Sequence, residues 1–163
     1  MRRIAVALAL MGCLLVSGCR KEVALPQTTS FSCAVLFSCG DFSATADVTR
    51  DGVGQLTVTC TSPPTLAGLR VIQSGNAVRL SQNGMEMNLP PESLPNEAMF
   101  LRLCRILDTV ALDSNKKAGS PLQGIYQDEP YMLEYDLKTG NLTKLSVPNC
   151  EFSVEFSDFY SSS

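Results

Sequence analysis

From Phe31 onward the chain repeatedly alternates apolar with polar residues, and turn-forming pairs break the alternation at short intervals. Successive side chains of a strand point to opposite faces, so a period of two gives each segment one apolar face and one wet face. Such segments must pair edge to edge, and their shared apolar face must then be covered. Residues 31–39 form the first segment, closed by a Gly40-Asp41 turn; residues 42–49 follow, and an Arg50-Asp51-Gly52 loop leads to residues 55–61. Leu56, Val58 and Cys60 share a face there, and Pro63-Pro64 ends the strand because proline cannot donate to a ladder. Shorter strands over 68–73 and 77–81 meet at Ser74-Gly75-Asn76, and Asn83-Gly84 turns the chain into residues 85–89.

The period then changes. Past Pro90, Pro91 and Pro95, apolar residues fall at Met99, Phe100, Leu103, Ile106, Leu107 and Val110, three and four apart, which predicts an amphipathic helix over 96–112 with Ser93 or Asn96 near its start. After a loop over 116–121, strands return at 131–137, 142–147 and 150–156, where Phe152, Val154 and Phe156 line up with Cys150. The expected fold is therefore mostly β (α+β): an antiparallel curved sheet or half-barrel meander of about eight strands, with one main helix covering its apolar face.

Ahead of this domain, Arg2 and Arg3 precede an unbroken apolar run from Ile4 to Val16, too short for the roughly 20 residues of a spanning helix. Val16-Ser17-Gly18-Cys19 resembles the lipobox of bacterial lipoproteins. That resemblance implies cleavage before Cys19 and acylation of its thiol, with chains such as palmitate contributing about 0.8 kcal/mol of membrane retention per buried methylene. An ordinary signal peptide with a cysteine falling by chance near the cut is the alternative. On the lipobox reading, residues 1–18 are a lipoprotein signal peptide, 19–30 a lipid-anchored tether and 31–160 a single β-rich domain. The protein is then expected at the cell membrane, lipid-anchored on its extracytoplasmic face.

Without Arg2 and Arg3 the mature chain keeps 11 of the 13 basic residues against 16 acidic ones, a net charge of about −5. A nucleic-acid partner is disfavoured, since phosphate binding needs a basic footprint. The chain contains no histidine, which excludes histidine-based triads and imidazole-ligated zinc. Glu134 with Asp136, and Glu151 with Glu155, pair by spacing on strands, an arrangement that usually means a solvated face. No enzyme activity, metal or cofactor is expected. Five cysteines follow Cys19, namely Cys33, Cys39, Cys60, Cys104 and Cys150. Cys33 and Cys39 lie six strand residues apart, roughly 20 Å, against about 5.5 Å between bridged α-carbons. Buried, inert thiols are the expectation, with a bridge from Cys104 or Cys150 as the alternative.

Between Phe31 and Phe156, the order of meander, helix-bearing insertion and further strands, with the local "PPTLAGLRV" turn and strand, resembles the lipoprotein-carrier superfamily (LolA and LppX-like). In that superfamily a curved half-barrel carries helices across its concave side, with an amphipathic helix before the first strand, where this chain has a short stretch broken by Pro26. The resemblance implies a lipid or other hydrophobic ligand held between sheet and helix. Val58, Phe100, Leu103, Leu107 and Phe152 are the candidate cavity lining. Two functions remain open: a membrane-anchored lipoprotein that binds such a ligand, or a tethered structural or protein-interaction module with a solid core. A single helix facing so many strands leaves part of the apolar face uncovered, which favours a pocket or a partner.

Overall fold

A computed structural model describes residues 23–90, 98–114 and 118–160. The signal segment, Cys19, Ser93 and Asn96 lie outside the described residues. In chain order the elements are β1 (Ser30–Cys39), β2 (Phe42–Gly52), β3 (Gln55–Ser62), β4 (Arg70–Ser74), β5 (Ala77–Gln82), β6 (Met85–Leu89), α1 (Met99–Leu112), β7 (Leu122–Tyr126), β8 (Glu129–Tyr135), β9 (Leu142–Val147), a 3-10 turn (Pro148–Cys150) and β10 (Phe152–Tyr160). The ten strands make one antiparallel sheet in the order β6-β5-β4-β3-β2-β1-β10-β9-β8-β7. Two meanders are thus joined where β10 returns beside β1, with Phe37 opposite Val154 and Cys39 opposite Phe152. The sheet is curved and unclosed, with β6 and β7 as its edges.

Alternation decides which face is buried. Phe37 on β1, Val48 on β2, Val58 on β3, Val71 on β4, Val78 on β5, Leu133 on β8, Leu145 on β9 and Val154 on β10 all turn to one side and are buried. Onto them α1 lays Leu101, Leu103, Cys104, Ile106, Leu107 and Val110. Ala98 at its N-cap makes no side-chain cap bond, and its first and last turns carry no charges that suit the helix dipole. Packing therefore holds the helix, since full burial of one aliphatic side chain is worth about 1.5–3 kcal/mol and a helix this short is marginal alone.

Several boundaries differ from the expected ones. β2 does not stop before Arg50; it runs on to Gly52, which pairs with Gln55, so Cys60 faces Ala46. The cause is Arg50 itself. Its side chain turns inward and is fully buried, where Nε donates to the Thr28 carbonyl at 2.5 Å and Nη2 pairs with Asp108 of α1 at 2.5 Å. Asp108 also accepts from the Gly54 backbone at 2.9 Å. β7 lies where the sequence reading places no strand, and Gly124 interrupts its alternation. Gly124 sits opposite Tyr131, whose ring occupies the space a β-carbon would need. β10 starts at Phe152 rather than Cys150, because Pro148 begins a 3-10 turn and Glu151 adopts a left-handed φ of 51°. It also runs on to Tyr160.

Replacing Asp108 by Ala strands a buried guanidinium, which typically costs about 3–5 kcal/mol. Urea denaturation of Asp108→Ala should show a loss of that order, and Arg50→Met combined with Asp108→Leu should recover most of it. Equal stability of parent and Asp108→Ala would show that the pair does not hold α1.

Candidate functional site

The centre of the concave face is closed. Val58, Leu103 and Leu107 are fully buried and Phe152 is 2% exposed. Phe100 is half-buried, its ring edge-on to Phe37 with centroids 5.1 Å apart. The five residues expected to line a cavity are thus brought together, as the packed seam between α1 and the sheet.

The same face is open at its β4–β6 margin. Opposite Val78 and Leu80 on β5 stand Leu89 and Met87 of β6, and Met85 stands opposite Gln82, so the register turns these side chains to the inner side. Leu69, Leu80, Met85 and Met87 line a hollow of about 510 Å³, with Ser81, Gln82 and Glu86 beside them. Leu69 and Leu80 lean on the core, whereas Met85 and Met87 are 73% and 57% exposed. The volume falls in the range typical of small-ligand sites. Methionine is unbranched and polarizable, so such a lining adapts to an apolar chain of varied shape. Polar chemistry comes from Ser81, from Gln82, whose amide donates to the Thr65 carbonyl at 3.4 Å, and from Glu86.

Three polar side chains on the buried side escaped the sequence reading. Besides Arg50, Arg102 of α1 is 7% exposed, lies 5.6 Å from the centroid of the Phe152 ring and reaches Cys150 Sγ at 2.5 Å. Gln73 on β4 is also 7% exposed. Among the described residues, Arg102 Nε and Gln73 Oε1 have no hydrogen-bond partner. The available signal was positional: Gln73 follows Val71, and Arg50 follows Val48, at the inward period of two.

The carboxylates that pair by spacing lie on the exposed surface. Asp136 caps the β8–β9 turn by accepting from the backbones of Lys138 and Thr139, each at 2.8 Å, which lowers its pKa. Glu151 lies in the turn before β10, and Glu155 pairs with Lys144 at 3.2 Å. Among the described residues no group of three or more His, Cys, Asp or Glu side chains could hold a metal ion, and no helix is long and apolar enough to cross a membrane. Cys33, Cys39, Cys60, Cys104 and Cys150 are all free thiols. Burial, and secondarily the Asp47 carboxylate, pushes Cys33 up to about 12. Burial and Asp108 push Cys104 up to about 11, with the Arg50 guanidinium pulling the other way.

No family model and no curated protein matches this chain. Among solved structures, the crystal structure of a LolA superfamily protein from Nitrosomonas europaea is similar to it, at 12% identity over 88% of this chain and 90% of that one, with a TM-score of 0.43.

A thiol whose folded pKa lies above its ordinary value of 9.0 stabilises the fold fully below that value, because only the unfolded chain ionises as pH rises past it. Stability should therefore fall between pH 9 and about 11–12, and Cys33→Ala with Cys104→Ala should flatten the slope. In the folded protein at pH 8, iodoacetamide should label the half-exposed Cys39 and Cys150 well before Cys33 and Cys104. Peptide mapping reads the order, and early labelling of Cys33 would contradict its burial.

Proposed function

We propose that this chain is a non-enzymatic lipoprotein, made with a signal peptide over 1–18, anchored through acylated Cys19 on the extracytoplasmic face of the cell membrane. Its β-rich domain binds a lipid or other hydrophobic ligand on the concave face of the sheet. The single observation that carries the binding is the Met85, Met87, Leu69 and Leu80 hollow, an open apolar surface continuous with the core. An acyl chain laid there would keep its polar end near Gln82 and Glu86 at the rim. To go further beneath α1 it would have to part Leu103 and Leu107 from Val58 and Phe152, so those residues and Phe100 are the second zone such a ligand would meet.

The complete burial of Val58, Leu103 and Leu107 favours a second reading, a tethered interaction module with a solid core. Titrating a fluorescent C16 fatty acid into the unacylated domain separates the two. Binding at the margin should be saturable, weakened about tenfold (about 1.4 kcal/mol) in a Met85→Ser, Met87→Ser double variant, and preserved in Leu103→Trp. The latter should lose about 1–3 kcal/mol of stability through overpacking. Saturable binding lost in Leu103→Trp would place the ligand under α1 instead. No saturable binding and no solvent-extractable lipid would leave the interaction module.

For the anchor, Cys19→Ser should move the protein out of the membrane fraction or leave it uncleaved. Intact mass of the parent should carry the acyl groups. A parent without acyl mass, and a variant held on membranes as firmly as the parent, would sink the anchor.

A further inference from the structure

One end of the domain carries more than half of the large apolar side chains exposed among the described residues. β1 starts there at Ser30, opposite Asp51 near the end of β2, and the β2–β3 and β4–β5 turns touch there through Gly75 N and Gly54 O at 2.9 Å. α1 descends toward the same end, because Phe100 meets Phe37 high on β1 while Asp108 reaches the Gly54 turn. The β8–β9 turn and the end of β10, with Tyr160 near Ser32, complete it. The lead-in segment is fastened to this end: Ala24 N donates to Leu137 O at 2.9 Å and Gln27 N to Gly140 O at 2.8 Å. Six of the large exposed apolar residues lie on these segments: Val23, Leu25, Val53, Leu112, Leu137 and Tyr160, exposed by 41–70%.

Fastening the chain at Ala24 also fixes how far this end can be from an anchor. From Cys19 to Val23 is four residues, at most roughly 14 Å of extended chain. An acylated Cys19 sits at the headgroup boundary, so Val23 is held within that distance of the bilayer, and the other five side chains share its end of the domain. Interfacial apolar groups bury about 5–10 Å into that boundary, and a tyrosine suits its polar-apolar gradient. Lys138, exposed beside Leu137, is set among the exposed carboxylates of Asp51, Asp113, Asp136 and Asp158, so the contact with the bilayer rests on the apolar side chains and not on charge.

We infer that this end is a membrane-docking surface: Val23, Leu25, Val53, Leu112, Leu137 and Tyr160 rest on the lipid bilayer that holds Cys19. The domain then stands upright, with the β5–β6 turn beside the Met85 hollow directed away from the membrane. The inference rests on the lipid-anchor reading and goes beyond it, because an anchor alone would let the domain tumble on its tether.

The chain contains no tryptophan, so a single introduced indole reports its own surroundings. Leu137→Trp and Leu112→Trp would be placed on the docking end and Ile125→Trp, at the far end of β7, would serve as the contrast. Each full-length acylated protein is reconstituted in phosphatidylcholine and phosphatidylglycerol vesicles with brominated acyl chains. The indoles at 137 and 112 should shift to the blue and be quenched about twofold, as expected for interfacial depth, while that at 125 stays as in water. Acylated, vesicle-bound protein in which 137 and 112 behave like 125 overturns the docking surface alone and leaves the patch to a protein partner. Protein without acyl mass that fails to float with the vesicles overturns the anchor reading and this one with it.

Discussion

A fully buried arginine organises the inner face of this sheet. Arg50 stands on a strand whose inward neighbours are Ala44, Ala46 and Val48, and an unpaired charge there would be untenable. Three partners from two other segments compensate it: the Thr28 carbonyl from the lead-in, and from α1 both Asp108 and the Cys104 thiol, whose sulfur lies 3.5 Å from Nη1. Removing any one partner leaves the cation short, so the lead-in, β2 and α1 are obliged to meet. A helix without a side-chain cap is thereby held at one place and in one rotation over the sheet. Buried ion pairs contribute little net stability relative to apolar packing, and fixing a unique arrangement is the role best attested for them. Arg50 fits that role.

That fixed position has a geometric consequence. Ten strands at about 4.8 Å span roughly 43 Å across the sheet, whereas one helix is only about 10–12 Å wide. It can cover the middle strands and no more. On the β7–β8 side, aromatic residues supply the remainder, with Tyr131 and Tyr135 buried and Tyr126 packed beside them. On the β4–β6 side nothing equivalent is present among the described residues, and the inner face ends in two exposed methionines. The open hollow is thus what remains when a wide sheet is served by one clamped helix.

Where the chain keeps a strict period, its sequence was sufficient. β6 and β9 fall on their expected residues, and the Cys39–Phe42 and Cys33–Val48 pairings follow from the Gly40-Asp41 turn. The failures have a common origin in side chains whose partners are distant in sequence. Arg50 looked like a turn residue because Asp108, which makes its burial tolerable, lies 58 residues away. Residues 122–126 carry no strand signal of their own at Gly124, because the Tyr131 ring that fills its place belongs to the next strand. For the candidate site, periodicity marked which residues face inward, including Leu103, Leu107 and Val58. It could not say how far α1 reaches, and hence that the open surface lies at Met85 and Met87 rather than beneath the helix.

The central claim is that this open margin, rather than the packed centre, receives an apolar chain. Its most direct test is to crystallise the unacylated domain with a bromine-labelled C16 fatty acid and locate the bromine by anomalous scattering. The account expects a peak against Met85, Met87 and Leu80, with α1 unmoved and Arg50 still paired with Asp108. A bromine on the outer face of the sheet, or crystals without one at saturating ligand, would contradict it.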